Sequence, residues 1–283
     1  MLLIPSIAPH PALRSYVHHY FMLHLNFRGV APPPKPMPAE PYQSLYFYPR
    51  DVVSKTIFET GEEIANPKSI IVGQQIARVN IGLREDHLVL KVAFKPGGFF
   101  RLFGIPMSEF YDISVDSEDV YGREMNEINE QLAGIRDYQQ MIDLIENFLL
   151  MKLKKVKHEV RPIDHAMQVM LGNPGRSLDE LASLACLSVR QFERNFFERI
   201  GIGPKMYARV VRFNMTLDYK RARPEAPWLE AAFACGYFDY AHLVRDFKLF
   251  TGETPAVVFE SDQKSVKSMS ENVVFLHPST SFL

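Results

Sequence analysis

Four polar side chains in the last third of the sequence have the types and the spacing needed to read the edges of nucleic-acid bases. Arg190, Gln191, Arg194 and Asn195 stand at i, i+1, i+4 and i+5, so a helix would present them together on one face. In the major groove of duplex DNA an arginine can donate two hydrogen bonds to guanine, and glutamine or asparagine can pair with adenine. The chemistry that this face favours is therefore recognition of base pairs.

Two capping signals predict the helices that would hold this face in place. Ser188 is followed three residues later by Gln191, which predicts the start of the helix that carries the polar face. Ser177 and Glu180 form the same kind of capping box for a shorter helix just ahead of it. The residues between, at 186–187, are predicted to form a tight turn.

This unit recurs 50–51 residues further along the chain. The first copy reads LDELASLACLSVRQFERNFFERIGIGP over 178–204, and the second reads WLEAAFACGYFDYAHLVRDFKLFTGETP over 228–255. Ahead of the turn the offset is 50, as between Ala182 and Ala232, so the second turn is one residue longer. A short helix, a tight turn, a second helix and then Gly and Pro form the layout of a helix-turn-helix. Beyond the turn the offset is 51, and the matched pairs are Phe192 with Leu243, Arg194 with Arg245, Phe196 with Phe247, Gly201 with Gly252, and Pro204 with Pro255.

The second copy offers fewer hydrogen-bonding groups than the first. We expect it to contribute less to DNA affinity, and we expect Asp239 to cap its second helix as Ser188 caps the first. Phe192 and Phe196, at i and i+4, predict the apolar stripe that would hold the first copy's helix on its domain. The face of the second copy that matches the polar face of the first consists of Tyr240, Ala241, His242, Arg245 and Asp246.

A predicted helix over about 205–222 joins the two copies. At 1.5 Å per residue it would be ~27 Å long, which is near the ~34 Å between successive major grooves on one side of a duplex. One chain could thus reach two adjacent grooves. Basic side chains on and beside this helix are candidates for contacts with DNA phosphates, or alternatively for pairing with local carboxylates. They are Lys205, Arg209, Arg212, Lys220, Arg221 and Arg223.

Charge is distributed unevenly although the formal net charge of the 283 residues is only −1. Residues 1–151 carry 13 basic and 18 acidic side chains, whereas 152–223 carry 15 basic and 7 acidic. Residues 224–260 are acidic again, with 2 basic and 6 acidic side chains. A basic block of this kind favours a polyanionic partner for that part of the chain, the alternative being a solvated charged face.

Residues from about 160 to 260 resemble the DNA-binding domain of the AraC/XylS family of transcription regulators. The matching text is ELASLACLSVRQFERNFFERIGIGPKMYARVVR, followed by the more specific AAFACGYFDYAHLVRDFKLFTGETP. The resemblance implies two helix-turn-helix subdomains joined by a helix, each offering its second helix to double-stranded DNA. It also implies RNA polymerase, a small-molecule effector and a second copy of the chain as candidate partners.

The resemblance assigns base-facing roles to particular positions of this sequence. Glu193 would repel phosphate but could accept a hydrogen bond from N4 of cytosine. Cys186 stands where the family usually has glycine, which raises a question about the geometry of the turn and not about the fold. The positions that match base-facing ones are Arg190, Glu193, Arg194, Ala241, His242 and Arg245.

The first half of the chain predicts a small β-rich, barrel-like domain with appended helices, which gives an α+β fold class overall. Short aromatic and β-branched runs at 44–51, 69–75, 77–83 and 87–98 predict strands, and the proline-rich stretch 31–41 predicts a loop. Short helices are expected from about 99, a longer one over 118–133 and another over 137–156, which would pack on its own domain or form a dimer seam. The predicted division is 1–156 for a sensor or dimerisation domain, 157–260 for the DNA-binding domain, and 261–283 for a tail.

The run KVAFKPGGFFRLFGIPMSEFYD resembles the sensor-like domain of a subset of these regulators, which binds an effector, dimerises, or does both. Tyr16, Tyr20, Tyr46 and Tyr48 could line a pocket for a small apolar or aromatic ligand, or could be ordinary core aromatics. The alternative function is a DNA-binding protein without an effector, whose first domain only dimerises or docks a partner.

An enzyme is not expected. His18, His19 and His24 suggest a metal-dependent cupin, but the next histidine, His87, is isolated, and such metal sites need three or four convergent ligands. No nucleophile elbow, phosphate loop or dinucleotide fingerprint is present, and no cofactor is predicted. The two cysteines, Cys186 and Cys235, are expected to be small buried side chains. The start of the chain does not read as a signal peptide, so a reducing cytoplasm is the expected compartment.

Overall fold

The computed structural model describes residues 2–27, 32–57, 60–156, 160–261 and 263. A β-rich half precedes a helical half, so the predicted α+β class is confirmed. The predicted tail, 261–283, lies outside the described residues except at positions 261 and 263. The domain bounds at 156 and 260 stay predictions.

The first half contains two antiparallel sheets. The first sheet has the strand order β1-β2-β9-β4-β7-β10 and the second has the order β3-β8-β5-β6. Neither sheet closes on itself, so two open sheets replace the expected barrel-like arrangement. The strands are β1 (Leu2–Ile7), β2 (Val17–Asn26), β3 (Lys35–Met37), β4 (Ser44–Phe47), β5 (Ser54–Ile57), β6 (Glu63–Ala65), β7 (Ser69–Val72), β8 (Val79–Gly82), β9 (Asp86–Phe94) and β10 (Ser114–Asp116).

The proline-rich stretch 31–41, predicted as a loop, contains strand β3. Pro36 pairs with Asn80 of β8, and β3 is at the edge of its sheet. An edge strand tolerates proline because the missing N–H costs no ladder hydrogen bond on the open side. The loop prediction is therefore wrong over Lys35–Met37.

The described part of this half also has four α-helices, of which the first precedes β10 and the others follow it: α1 (Gly98–Phe103), α2 (Ser117–Tyr121), α3 (Arg123–Gly134) and α4 (Tyr138–Leu153). The single helix predicted over 118–133 is divided at Gly122, whose φ of 57° takes the backbone out of the right-handed helical region. The apolar residues of α4 are buried in one core with the first sheet, so α4 packs on its own domain. Those residues are Met141, Ile142, Ile145, Phe148 and Leu149.

The second half is helical throughout its described residues. The helices are α5 (Pro162–Gly172), α6 (Leu178–Leu184), α7 (Val189–Ile200), α8 (Pro204–Ala222), α9 (Trp228–Ala234) and α10 (Tyr240–Thr251). Phe196 and Phe213, both fully buried, belong to a single core that unites the helices of this half. Among the described residues, no helix is both long enough and apolar enough to span a membrane.

Residues 39–43, here called the docking segment, connect the two halves. The Asn214 side-chain amide donates a hydrogen bond to the Ala39 carbonyl oxygen (2.9 Å), and the Tyr207 hydroxyl donates one to the Pro41 carbonyl oxygen (3.0 Å). In the other direction, Nε2 of Gln43 donates to the carbonyl oxygen of Ile200 (3.1 Å). The docking segment thus contacts both α7 and α8 through backbone carbonyl groups and one buried amide.

Candidate nucleic-acid interface

Two helix-turn-helix units are present where the repeat predicts them, α6 with α7 and α9 with α10. The first recognition helix, α7, begins at Ser188, whose backbone N–H donates to Oε1 of Gln191 at 3.0 Å. The second recognition helix, α10, begins at Asp239, whose carboxylate accepts from the backbone N–H of His242 at 2.6 Å. Both predicted N-caps are confirmed.

The turns of the two units share one unusual backbone position. Cys186 has a φ of 55° and the matching Gly236 has a φ of 79°, both in the left-handed region. Glycine adopts this region freely, whereas a residue with a Cβ is strained there. Cys186 is exposed, contrary to the expectation of a buried thiol, while Cys235 is buried as expected and its burial raises the pKa of its thiol.

Apolar side chains fix each recognition helix on the body of the domain. Phe192 and Phe196 are fully buried, and their ring centroids are 5.6 Å apart. Their counterparts in the second unit, Leu243 and Phe247, are also fully buried. The stripe predicted for the first unit is thus present, and the second unit has a counterpart of it. Since one side of each helix is buried, the opposite side is the one that it can offer to DNA.

The exposed side of α7 carries two arginines whose guanidinium groups pair with no other described residue. Arg190 and Arg194 are exposed, and neither guanidinium makes a hydrogen bond or an ion pair within the described part of the chain. Glu193 is exposed beside them. Gln191 is exposed too, but its side-chain oxygen accepts in the capping box, and Asn195 is half-buried and donates to the Gln191 carbonyl oxygen at 2.7 Å.

On α10, only some of the residues predicted to face DNA bases are exposed. Tyr240, Ala241 and Arg245 are exposed, whereas His242 is half-buried with its ring edge-to-face against Tyr237 at 5.2 Å. Asp246, which the sequence interpretation grouped with them, is fully buried. Its position three residues after Leu243 places it on the core side of the helix, so it is not available to a base.

The basic side chains around α8 are mostly engaged within the protein. Arg209 pairs with Asp246, the guanidinium of Arg212 lies over the Tyr237 ring at 5.4 Å, and that of Arg223 lies over the Tyr219 ring at 4.7 Å. These contacts leave Arg209 and Arg212 as weaker candidates for phosphate contacts than the sequence alone indicated.

Two more of these basic side chains have internal partners. Lys220 is buried and donates to the carbonyl oxygens of Pro224 and Ala226, both at 2.6 Å, and Arg221 pairs with Asp218. Lys205 is exposed and makes no ion pair or hydrogen bond with other described residues. Among Lys205, Arg209 and Arg212, Lys205 is the one whose side chain has no partner in the described residues.

A buried carboxylate ties the far end of α7 to the first half of the chain. Oδ1 of Asp164 is 3.6 Å from Nε of Arg199, and its Oδ2 is 3.7 Å from Nε of Arg101 on α1. All three side chains are about nineteen-twentieths buried, and burial lowers the pKa of Arg199. The C-terminal end of α7 is therefore held by the protein while its N-terminal end stays accessible.

The first half of the chain contains a small cavity beside the docking segment. Glu40, Tyr42 and Tyr46 line it, and Glu40 forms an ion pair with the buried ammonium of Lys91. Of the four tyrosines predicted as candidate ligand-binding residues, only Tyr46 lies on this cavity. Tyr48 stacks near Tyr46 with ring centroids 6.4 Å apart, but Tyr16 and Tyr20 lie in the core of the first sheet.

The described histidines of this half come together at most in pairs. His24 contacts Asp86 and the Tyr138 hydroxyl at 2.7 and 2.8 Å, and His18 contacts His19. Burial lowers the pKa of His87 to about 4. In the described ranges, no group of three or more His, Cys, Asp or Glu side chains is arranged to hold a metal ion.

Two family models match the sequence. Residues 181–261 match a model described as a helix-turn-helix domain, and residues 5–116 match one described as a domain of unknown function, DUF6597. No curated protein matches. The helix-turn-helix match falls within the part of the sequence that resembles the AraC/XylS family.

Several solved structures of ToxT from Vibrio cholerae are similar to this chain. A 1.65 Å structure of ToxT has a TM-score of 0.48 at 9% identity and covers 85% of this chain and 98% of its own. ToxT from strain O395 has a TM-score of 0.45 at 10% identity, with coverages of 87% and 98%. Wild-type ToxT from strain SCE256, bound to an unsaturated fatty acid, has a TM-score of 0.45 at 12% identity, with coverages of 85% and 94%.

Proposed function

We propose that this chain is a sequence-specific DNA-binding transcription regulator whose two helix-turn-helix units read adjacent major grooves of one duplex. The observation that carries the proposal is the pair Arg190 and Arg194, exposed at the accessible end of α7 and without partners in the described structure. Arginine side chains that form no internal pair are available to donate to guanine O6 and N7. Arg245 is the matching exposed arginine of the second unit.

The helix α8 supports the two-groove arrangement. Its 19 residues correspond to a length of about 28 Å at 1.5 Å per residue. This is close to the ~34 Å helical repeat that separates successive major grooves on one side of the duplex. Lys205, at the first turn of α8, would contact a phosphate and add affinity without sequence preference.

A small effector that acts through the first domain is the second part of the proposal. The ion pair between Glu40 and Lys91 supports it, because Ala39 and Pro41, the neighbours of Glu40, accept the hydrogen bonds from α8. A ligand that displaces Glu40 from Lys91 would change the docking segment and thereby the position of the DNA-binding helices. The alternative is a first domain that only dimerises or docks a partner.

A thermal-shift measurement against a metabolite library distinguishes a first domain that binds an effector from one that only dimerises or docks a partner. A ligand that binds only the folded protein raises the melting temperature by mass action, and an effector would also change DNA affinity. A ligand with both effects supports the sensor. If no compound of a broad library raises the melting temperature, the first domain that only dimerises or docks a partner is favoured.

Selection of binding sites from random duplex DNA tests DNA recognition itself. The full-length protein is compared with the double variant Arg190→Ala/Arg194→Ala. A charge-matched control, Arg123→Ala/Arg136→Ala, removes two exposed arginines from the first half of the chain. We expect a motif with the unaltered protein and with the control, and loss of half of that motif with the double variant. A motif that survives the double variant intact would refute the roles given to Arg190 and Arg194.

A further inference from the structure

The second turn contains one additional residue, Phe238. Tyr237 matches Leu187 at an offset of 50 and Asp239 matches Ser188 at an offset of 51, so Phe238 has no counterpart in the first unit. It directly precedes Asp239, the N-cap of α10. Its side chain is 86% exposed, the largest value among the exposed large apolar side chains of the described residues.

The exposed positions at the start of α10 are also less polar than those of α7. Ala241 stands where α7 has Arg190, and the half-buried Val244 stands where α7 has the exposed Glu193. Ala241 is exposed, and the ring of Tyr240 is 38% exposed. Around the start of α10 the protein thus offers an apolar surface, with Arg245 as the charged group one turn further on.

This apolar surface lies where a recognition helix makes its base contacts. In helix-turn-helix proteins the N-terminal residues of the second helix contact base edges in the major groove. The apolar group that base pairs present there is the C5-methyl of thymine, and side chains such as alanine and phenylalanine are its partners. A contact that removes an exposed phenyl ring from water stabilises the complex.

We propose that the second helix-turn-helix unit recognises thymine through its C5-methyl group, with Phe238 and Ala241 as the contacting side chains. The inference rests on the proposed function and specifies what the second unit reads. Arg245 retains the ability to pair with guanine, so the half-site bound by this unit combines thymine with guanine.

A protein partner is the other candidate for this surface, since Leu229 and Phe233 of α9 are also about half exposed. Those two side chains lie on the first helix of the unit, whereas Phe238 and Ala241 flank the N-cap of the recognition helix. The position of Phe238 at that N-cap favours DNA.

Uracil provides the test, because it lacks the C5-methyl of thymine and keeps the same hydrogen-bonding groups. The half-site of the second unit is the one whose base preference changes in Arg245→Ala. Each thymine of a selected duplex is replaced in turn by uracil, and affinity is measured by fluorescence anisotropy at fixed salt. We expect about fourfold weaker binding for each contacted methyl group lost from that half-site.

The variant Phe238→Ala should bind the thymine duplex more weakly and lose the difference between thymine and uracil at the position it contacts. Phe238→Leu, which keeps an apolar side chain, should retain part of that difference. Phe233→Ala is the matched control: it removes a half-exposed ring of the same unit and should keep the full difference.

Two failures can be told apart. If the protein selects no duplex at all, DNA recognition and thymine recognition are both overturned. If the protein binds its duplex tightly but binds thymine and uracil equally well in the second half-site, only thymine recognition is overturned. Equal loss of discrimination in Phe233→Ala and Phe238→Ala would also overturn the assignment to Phe238.

Discussion

Nε of Arg209, on the linking helix α8, donates to Oδ1 of Asp246 on α10 at 2.9 Å, and Nη2 of the same arginine lies 2.9 Å from that oxygen. The Asp246 side chain is fully buried, whereas that of Arg209 is about one-third exposed. The pair joins α8 to α10, so it fixes the orientation of the second helix-turn-helix unit relative to α8.

Replacement of Arg209 by methionine should destabilise the helical domain strongly. The Asp246 carboxylate would remain buried without its partner, and breaking a buried ion pair in this way costs about 3–5 kcal/mol. Urea unfolding can be followed through the fluorescence of Trp228, the only tryptophan, whose ring is 5.8 Å from that of Phe247. The double variant Arg209→Met/Asp246→Leu should recover most of the loss. A loss below about 1 kcal/mol in the single variant would show that solvent replaces Arg209 as the partner.

Glycine at position 186 should stabilise the first unit. Cys186 has a positive φ of 55°, and this conformation destabilises the folded state of a residue with a Cβ by about 1–2 kcal/mol. Glycine removes that strain, but its greater freedom in the unfolded chain lowers stability by about 0.4–1 kcal/mol. We expect Cys186→Gly to raise the free energy of unfolding by about 0.5–1 kcal/mol. Cys186→Ala, which removes the thiol without freeing the backbone, should give no such gain.

In the second turn, replacing the matching glycine by alanine should lower stability. Gly236 has a φ of 79°, and a Cβ there would meet only Cδ of Arg212, at 4.0 Å. Gly236→Ala should therefore lose about 1 kcal/mol through backbone strain alone. A stable Gly236→Ala variant would mean that the turn can relax to a negative φ.

Lys205 and Lys220 should respond differently to loss of charge. Lys205→Gln should lower the slope of log affinity against log salt by about 0.9, with the selected motif unchanged, because one phosphate contact is lost. Lys220→Gln should leave the slope unchanged and lower the unfolding free energy, because Lys220 is buried against the carbonyl groups of Pro224 and Ala226. DNA titrations at four salt concentrations would measure the slopes. A reduced slope in Lys220→Gln would contradict its structural role.

His87 should make the protein less stable as the pH falls below about 6.5. Burial, followed by the charge of His24, lowers its pKa in the folded state to about 4 from the ordinary 6.5. The neutral form is favoured in the folded state, so the contribution to stability is present above pH 6.5 and is lost between 6.5 and about 4. The loss should be on the order of 2–3 kcal/mol. His87→Gln, which cannot titrate, should show a correspondingly flatter stability profile over this range, and parallel profiles would argue against the shift.

The helical half was the more predictable part because its signals are local. The capping boxes at Ser177 and Ser188 and the stripe of Phe192 and Phe196 each lie within one helical turn of their partners, and each is present as predicted. The strands β1 and β2 were not predicted, because they are stabilised by pairing with residues distant in sequence, as Val17 with Phe94. The break at Gly122 depends on a single backbone angle that the helical periodicity does not reveal.

Within the candidate site, sequence spacing located the exposed arginines but misplaced Asp246. The spacing of Leu243, Asp246, Phe247 and Phe250 does place the acid on the buried side, so this signal was present in the sequence. Its partner Arg209 could not be inferred, because 37 residues separate the two and only the packing of α8 on α10 brings them together. The sequence showed that the second turn is one residue longer, but the exposure of Phe238 in that turn required the structure.

The docking segment places one wall of the cavity and the hydrogen-bond acceptors for α8 within five consecutive residues. Coupling between two binding sites is reciprocal: an occupant that changes DNA affinity by some factor has its own affinity changed by DNA to the same extent. If an effector binds beside Glu40 as proposed, a duplex that holds α8 in one position changes the affinity of that effector by the same factor. The affinity of the first domain for a ligand would then differ from one bound DNA sequence to another.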